Sequence, residues 1–391
     1  MATQRSERTK YRRYKVTTYG ETPASPAMTE FRIVSDSLKQ NKKTVESNAL
    51  DASRQVRDIY KVGEDAGGSL TGELCYLEWD WAFEGLLGAS FVPVTLTASD
   101  ISAATADNSV NSAALAFGSF VAGQFLTLSA VTFTGYNGLW YVVSQTTGKL
   151  VLSRGPVTIT TNKTNVEMGA VTLKQNYCRA GNTLNAYTIE REFSDAGVFD
   201  VYNSMVVESI NISVKGQELV PITVNLMGKS SDEDNTATVA GSVVAESSAV
   251  PFNSTNNVFK LIEAATVLSN ELVTLDLSLK SNARARTALG VTTPIGFAQD
   301  TVEAEGKADF YFNDNARRTK VQNHTSTIIV IAFKDAAGNY LVITMQKIYL
   351  LDLNSGVGGK KADVLEQYGF KATKDGTYLQ TVCVDSLALV P

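Results

Sequence analysis

The chain has 391 residues, 44% of them hydrophobic and 19% charged, with 35 basic and 40 acidic side chains for a net charge of −5. That balance suits a soluble folded protein of two or three compact units, and the acidic excess argues against a sequence-independent nucleic-acid binder, which works by neutralising phosphates. One histidine, His324, and three separated cysteines, Cys75, Cys178 and Cys383, take away the commonest general base, a disulfide framework and a zinc site.

The first 30 residues are polar, with Arg5, Arg8, Arg12 and Arg13 among tyrosines and with Pro23 and Pro26 at their end, and they read as an extended arm. No signal peptide and no bilayer-spanning apolar run is visible, so synthesis in the cytoplasm is expected. A main β domain begins at residues 31–91. Ser69–Leu77 reads as a strand, followed by a helix from about Glu78 to Leu87 that turns Trp79, Phe83, Leu86 and Leu87 to one face and ends at Gly88. Residues 92–175 are expected to form an insertion. Up to about 122 it is a small-residue linker, and beyond that short strands broken at Gly135-Tyr136-Asn137-Gly138 and Thr147-Gly148 suggest a small β-barrel. Trp140 and Tyr141 there suit either a carbohydrate platform or a core, and the core is the simpler reading.

Residues 176–391 resume the main domain. Ile210, Ile212 and Val214 alternate with polar residues, then Val220, Ile222, Val224 and Leu226 do so after a turn at Gly216-Gln217-Glu218, which predicts a β-hairpin over 205–228. A polar loop follows, then a helix over about Asn257–Leu268 and a strand over Leu272–Lys280. A second hairpin is predicted from Ile328–Phe333 and Tyr340–Met345, in runs apolar enough to be covered on both faces. The run LQTVCVDSLAL reads as a last strand. A strand, loop, helix and strand order recurs on either side of the insertion. The halves do not align residue by residue, so an internal duplication is an open reading.

Chemistry is sparse. Gly356-Val357-Gly358-Gly359-Lys360-Lys361 lacks phosphate-loop spacing, and Asp232-Glu233-Asp234 lacks the alternating ligands of a calcium loop. Glu190 and Glu192 share a strand face, a geometry open to paired acid and base work but equally to a polar wall. No catalytic residue, cofactor or metal ligand is assigned.

The run AYTIEREFSD, the hairpin after it and the closing NLMGKS resemble the tail tube (major tail) protein family of long-tailed bacteriophages. Three further segments are similar in order and texture: VESNALDASRQVRDIYKVGEDAGGSLTGELCYLEWDWAFEGLLGA, FVAGQFLTLSAVTFTGYNGLWYVVSQTTGKLVLSRG, and the strand-rich end from Ser326 to Leu387. The resemblance implies an antiparallel β-sandwich or half-barrel with one or two short helices and an inserted small β-barrel. It implies a non-enzymatic virion protein, assembled in the host cytoplasm, that forms hexameric rings stacked into the tail tube. Its implied partners are its own copies, the tape-measure protein, the tail terminator and tail-tip proteins, and genomic DNA crossing the lumen without specific binding. Six chains at −5 each would give a ring a formal charge of about −30, repelling phosphates wherever it lined the channel. Candidate lumen-facing acids are Glu73, Glu190, Glu192 and Glu208, and candidate contacts between rings are Arg12, Arg13, Arg54 and Arg57. Alternatives are a β-sandwich carbohydrate-binding or surface module, a carboxylate hydrolase, and a baseplate or capsid component.

Overall fold

The protein is described from a computed structural model over residues 4–49, 55, 58–153, 159–263, 266–267, 271–356 and 363–388. Alternation of apolar with polar residues turns most of the chain into strands that bury one face. The first are β1 (Thr9–Val16), β2 (Ala27–Phe31), β3 (Ser35–Asp36), β4 (Lys39–Glu46) and β5 (Ile59–Glu73), before helix α1 (Asp80–Leu87). Then come β6 (Val92–Ala98), β7 (Ile101–Ala104), β8 (Ser109–Ser112), β9 (Phe125–Ala130), β10 (Gly138–Thr146), β11 (Lys149–Ser153), the short α2 (Asn165–Met168) and β12 (Val171–Arg179). Next are β13 (Ala186–Phe193), β14 (Val198–Lys215), β15 (Pro221–Gly228), β16 (Ser230–Asn235), β17 (Ser242–Val244), β18 (Val258–Glu263), β19 (Thr266–Val267) and β20 (Leu272–Lys280). The chain closes with β21 (Arg284–Arg286), β22 (Gly296–Ala298), β23 (Glu303–Tyr311), α3 (Ala316–Gln322), β24 (Ser326–Lys334), β25 (Tyr340–Gly356), β26 (Leu365–Ala372) and β27 (Cys383–Leu387).

Eight strands form a central antiparallel sheet in the order β4-β5-β15-β14-β20-β23-β26-β25, with β3 extending the line of β4 along β5. Two of them, β14 with 18 residues and β25 with 17, outrun it. The first half of β14 joins a sheet ordered β17-β2-β1-β13-β14-β16, and the first half of β25 joins β19-β18-β24-β25-β27-β12. These outer sheets and α1 bury the main core, including Trp79, Phe83, Tyr187, Ile210, Leu277 and Phe370, against the central sheet.

Several expectations hold: a mainly β, mostly antiparallel fold, the hairpin of β14 and β15, β20 at its predicted bounds, and α1 closed by Gly88 with φ 64°. Others need correction. Within the described residues of the helix predicted over 257–268 stand the strands β18 and β19 instead, β18 pairing with Ile329–Phe333 of β24. The N-terminal stretch is no extended arm within the described residues. Its β1 is held between β13 and β2, with Tyr11 and Val16 buried. The strand predicted over Ser69–Leu77 ends at Glu73, and the polar loop after β15 contains β16 and β17.

The stretch 92–122, expected as a linker, contains β6, β7 and β8. With the strands after it they make an open sheet ordered β7-β8-β11-β10-β9-β12-β6 rather than a closed barrel. Its small residues kept the hydrophobic contrast low, yet Ile101 and Val110 are buried in a separate core with Phe117, Trp140 and Leu150. Tyr141 is buried too, so neither aromatic offers a platform to a ligand.

Candidate functional site

The inner face of the central sheet is apolar and the opposite face is polar, because residues paired across its ladders put their side chains on the same face and bulges re-set the alternation where it slips. Thr71, Thr223, Asn211, Ser278, Glu305 and Lys371 stand side by side across six strands, and Ser69, Asn225, Ser209, Lys280 and Glu303 form the next row. This face is hollowed. A cavity of about 630 Å³ reaches from Asn211 and Thr223 across to Lys307, Leu351 and Asp352.

Its side chains largely satisfy one another. The Thr71 and Thr223 hydroxyls lie 3.2 Å apart, Asn225 Nδ2 donates to Ser209 Oγ at 2.8 Å, and the hydroxyls of Ser213 and Thr274 donate to Asp276 and Asp309 at 2.5 and 2.6 Å. Lys280 pairs with Glu305, and Lys371 with Glu303 at 3.4 Å. The hydrogen bond from Lys280 holds the Glu305 carboxyl below its ordinary range. Such a face presents hydroxyls, amides and fixed charges that water wets. Elsewhere burial pushes the Cys75 thiol up to about 11 and Cys178 up to about 12, and raises Cys383 as well, so none is a ready thiolate. Among the described residues no group of three or more His, Cys, Asp or Glu side chains could hold a metal ion.

The residues singled out from sequence are dispersed. Glu73 is half-buried where β5 ends on the polar face, opposite Pro221, and Glu208 is exposed at a bulge in β14 between Val207 and Ser209. Glu190 is 0% exposed and presents no charge to solvent. It accepts from Arg12 Nη1 at 2.7 Å, from the Thr238 hydroxyl at 2.8 Å and from the Val239 amide at 2.7 Å. Arg12 is itself buried. Its guanidinium also pairs with Glu192, and with Glu30 at 3.3 Å. Burial works against the Arg12 charge, but the carboxylates outweigh it and hold its pKa above the ordinary range. Burial likewise opposes the Glu192 charge, and Ser194 and Arg12 outweigh it, so that carboxyl sits below its ordinary range. Arg13 is half-buried with its guanidinium 5.5 Å from the Trp81 ring centroid. Arg54 and Arg57 lie outside the described residues.

Two features escaped the sequence reading. One is a second knot in which Arg191 meets Asp36 at 2.7 Å and Asp200 at 2.6 Å, while the Tyr11 hydroxyl donates to Asp36 at 2.8 Å. The other is the acidic share of the polar face carried by Asp276, Glu303, Glu305 and Asp309. The alternation in EAEGKADFY was its available signal.

A model of the phage tail tube protein family matches residues 7–372, nearly the whole chain. No curated protein matches the sequence.

Proposed function

The chain belongs to the phage tail tube protein family, and from that premise we propose that its copies join edge to edge into rings, stacked into a conduit with the polar face of the central sheet turned to the lumen. The family is a structural one, which supports reading the chain as a structural protein of a phage tail tube. The observation that supports the conduit reading is the hollow, wettable, internally hydrogen-bonded face reaching across six strands, backed by a continuous apolar core. Glu303, Glu305, Asp276 and Asp309 take the lumen role, joined by Glu73 and Glu208. Glu190 and Glu192 are structural partners of Arg12 instead. DNA then passes a wall whose cations are matched by carboxylates and adheres little. During assembly the same lumen holds the tape-measure protein, and terminator and tip proteins cap the two ends.

Electron microscopy of the purified chain at rising concentration, with light scattering alongside, tests this. Regular hollow tubes are expected, and a chain that stays monomeric at every concentration, with or without a preformed tail tip, would sink the reading. A second test addresses the wall. Tubes of a Glu303→Lys, Glu305→Lys variant should retain duplex DNA at low salt and release it as salt rises, whereas wild-type tubes retain none. Equal retention by both would refute a luminal polar face.

A further inference from the structure

We propose that the chain is a tandem of two versions of one tube unit, and that the open edge of its second unit receives the first unit of a neighbouring copy by repeating the junction that joins the two units within the chain, so that three chains close a ring. The proposal rests on the tube reading above and deepens it.

The two units share one wiring. In the first, hairpin β4–β5 leads to α1, then β13, β14, β15 and β16; in the second, hairpin β20–β23 leads to α3, then β24, β25, β26 and β27. The pairings coincide. Strand β5 lies against β15 as β23 lies against β26, and β1 flanks β13 as β18 flanks β24. Long strand β14 carries β13 and β16 on its first half and β15 on its second, and β25 carries β24, β27 and β26 in the same places.

Even the irregularities recur. The β13–β14 ladder skips Asn203 and Ser204, the β24–β25 ladder skips Gln346 and Lys347, and single-residue bulges follow at Glu208 and Asp352. Gly68 and Gly306 fall at one position, and a Cβ there would come within 2.4 Å of the Ser37 oxygen or 2.2 Å of the Asp276 oxygen. Beside them Leu38 and Leu277 are both buried. Independent origins would not reproduce bulges and close approaches together. The insertion, β6 to β12, follows α1 and has no counterpart after α3.

Inside the chain the units meet where Ser209–Lys215 of β14 pairs with Thr274–Lys280 of β20. Beyond that ladder hairpin β21–β22 reaches back and seats Phe297, 5% exposed, against Val16, Ala186 and Val206. The equivalent surfaces at the chain's two ends are bare. Among the described residues no strand pairs with the far edge of Leu351–Gly356 or with the far edge of β4. Ile59, the counterpart of Phe297, is 56% exposed, and Val45, Tyr60 and Val62 around it are exposed as well. A protomer leaves such apolar edges open only when something covers them.

Repeating the internal junction supplies the cover and fixes a register. Asn354 falls opposite Lys39 of the neighbouring copy, as Asn211 falls opposite Ser278, and the neighbour's Ile59 meets Tyr349, the counterpart of Val206. The Leu38 carbonyl is already taken by the Tyr202 hydroxyl at 3.1 Å, so the ladder runs from Lys39 outward.

Strand counting gives the number of copies. At about 4.8 Å per strand and a tilt near 40°, 24 strands from three chains close a backbone circle about 48 Å across. Side chains taking about 5 Å from each wall leave roughly 40 Å, ample for a DNA duplex. Two chains would leave roughly 20 Å, without clearance, and six would leave more than double the three-chain lumen.

The test is a Lys39→Cys, Asn354→Cys variant of the full chain, assembled, mildly oxidised and run on a non-reducing gel, with each single variant as control. The native cysteines are all buried and stay out of the reaction. Tubes giving a ladder that ends at three chains are expected. A ladder ending at six would overturn the three-chain ring while leaving the tube reading intact, and tubes without cross-links would overturn the edge assignment. Wild-type chain that forms no tubes would remove the reading beneath. Independently, Ile59→Asp should melt as the wild type does while its assembly threshold rises at least about tenfold; an unchanged threshold would overturn the contact.

Discussion

Arg12 lies beneath three carboxylates, and its arrangement decides what a substitution there does. Removing one member of a buried ion pair leaves the other charge desolvated, at a cost of about 3–5 kcal/mol. Arg12→Met should therefore lower the unfolding free energy in urea by about 3 kcal/mol or more, with Glu190 left at 0% exposure among only neutral donors. Adding Glu190→Gln removes the stranded charge and should recover a good part of that loss. A double variant no better than Arg12→Met alone would mean the pair carries no such coupling. Asp385 makes a different case. It is fully buried, burial holds its carboxyl well above the ordinary value of 3.8, and its Oδ1 has no hydrogen-bond partner. The folded protein thus keeps a proton that the unfolded chain gives up near pH 4. Stability contributed by that proton is present below this pH and is lost as pH rises toward the folded-state value, at up to roughly 1.4 kcal/mol per pH unit. Asp80, pushed up to about 7 by burial, adds a slope of the same sign. Asp385→Asn keeps the shape without the proton, so its melting temperature should fall less between pH 5 and pH 8 than that of the wild type. Parallel curves would reject the assignment.

Single glycines test the elements. A Cβ on Gly306 would press on the Asp276 carbonyl and the Phe370 ring, whereas one on Gly216, in the turn after β14, meets nothing within 4 Å. Gly306→Ala should cost about 2 kcal/mol or more and Gly216→Ala close to nothing, as read from denaturant midpoints at constant m. Similar midpoints would deny the close strand approach. The same contrast explains what the sequence let one see. Strands wet on one face declare themselves, so β14, β15 and β20 were legible from Ile210, Val224 and Leu277 alternating with polar neighbours. Segments without a clean alternation do not, and Val258–Glu263, which pairs with β24, passed for a helix. Small residues in β7 and β8 gave too little contrast to read. The polar face was only half legible. Parity named polar positions on β14, β15 and β20, but which acids it exposes depends on partners far away in sequence. Arg12 lies 178 residues from Glu190, and its guanidinium turns a plausible wall residue into a buried one.

At the scale of the molecule, the sheet of β6 to β12, expected as an insertion, is a layer with a core of its own. Ile329, Ile331 and Ile343 of β24 and β25 face the main core, while Ile328, Val330 and Val342 face Phe125, Leu139 and Tyr141 of the insertion. Proceeding outward, the layers are polar face, central sheet, main core, outer sheet, second apolar interface, insertion. The sheet of β6 to β12 therefore stands on the side away from the polar face, outside the tube if that face lines the lumen as proposed. It also cannot be shed freely, because the outer sheet beneath it is apolar on both faces. Replacing residues 92–175 with a short Gly-Ser linker should leave the chain largely insoluble. Adding Ile328→Thr, Val330→Thr and Val342→Thr should return much of it to the soluble fraction, since these side chains contact the insertion and not the main core. Solubility of the plain deletion, with an unchanged melting transition, would show that the interface contributes nothing. Rescue by the triple substitution, followed by tube formation, would separate the two roles: a conduit wall built by the repeated units, and a covering layer that only one of those units carries.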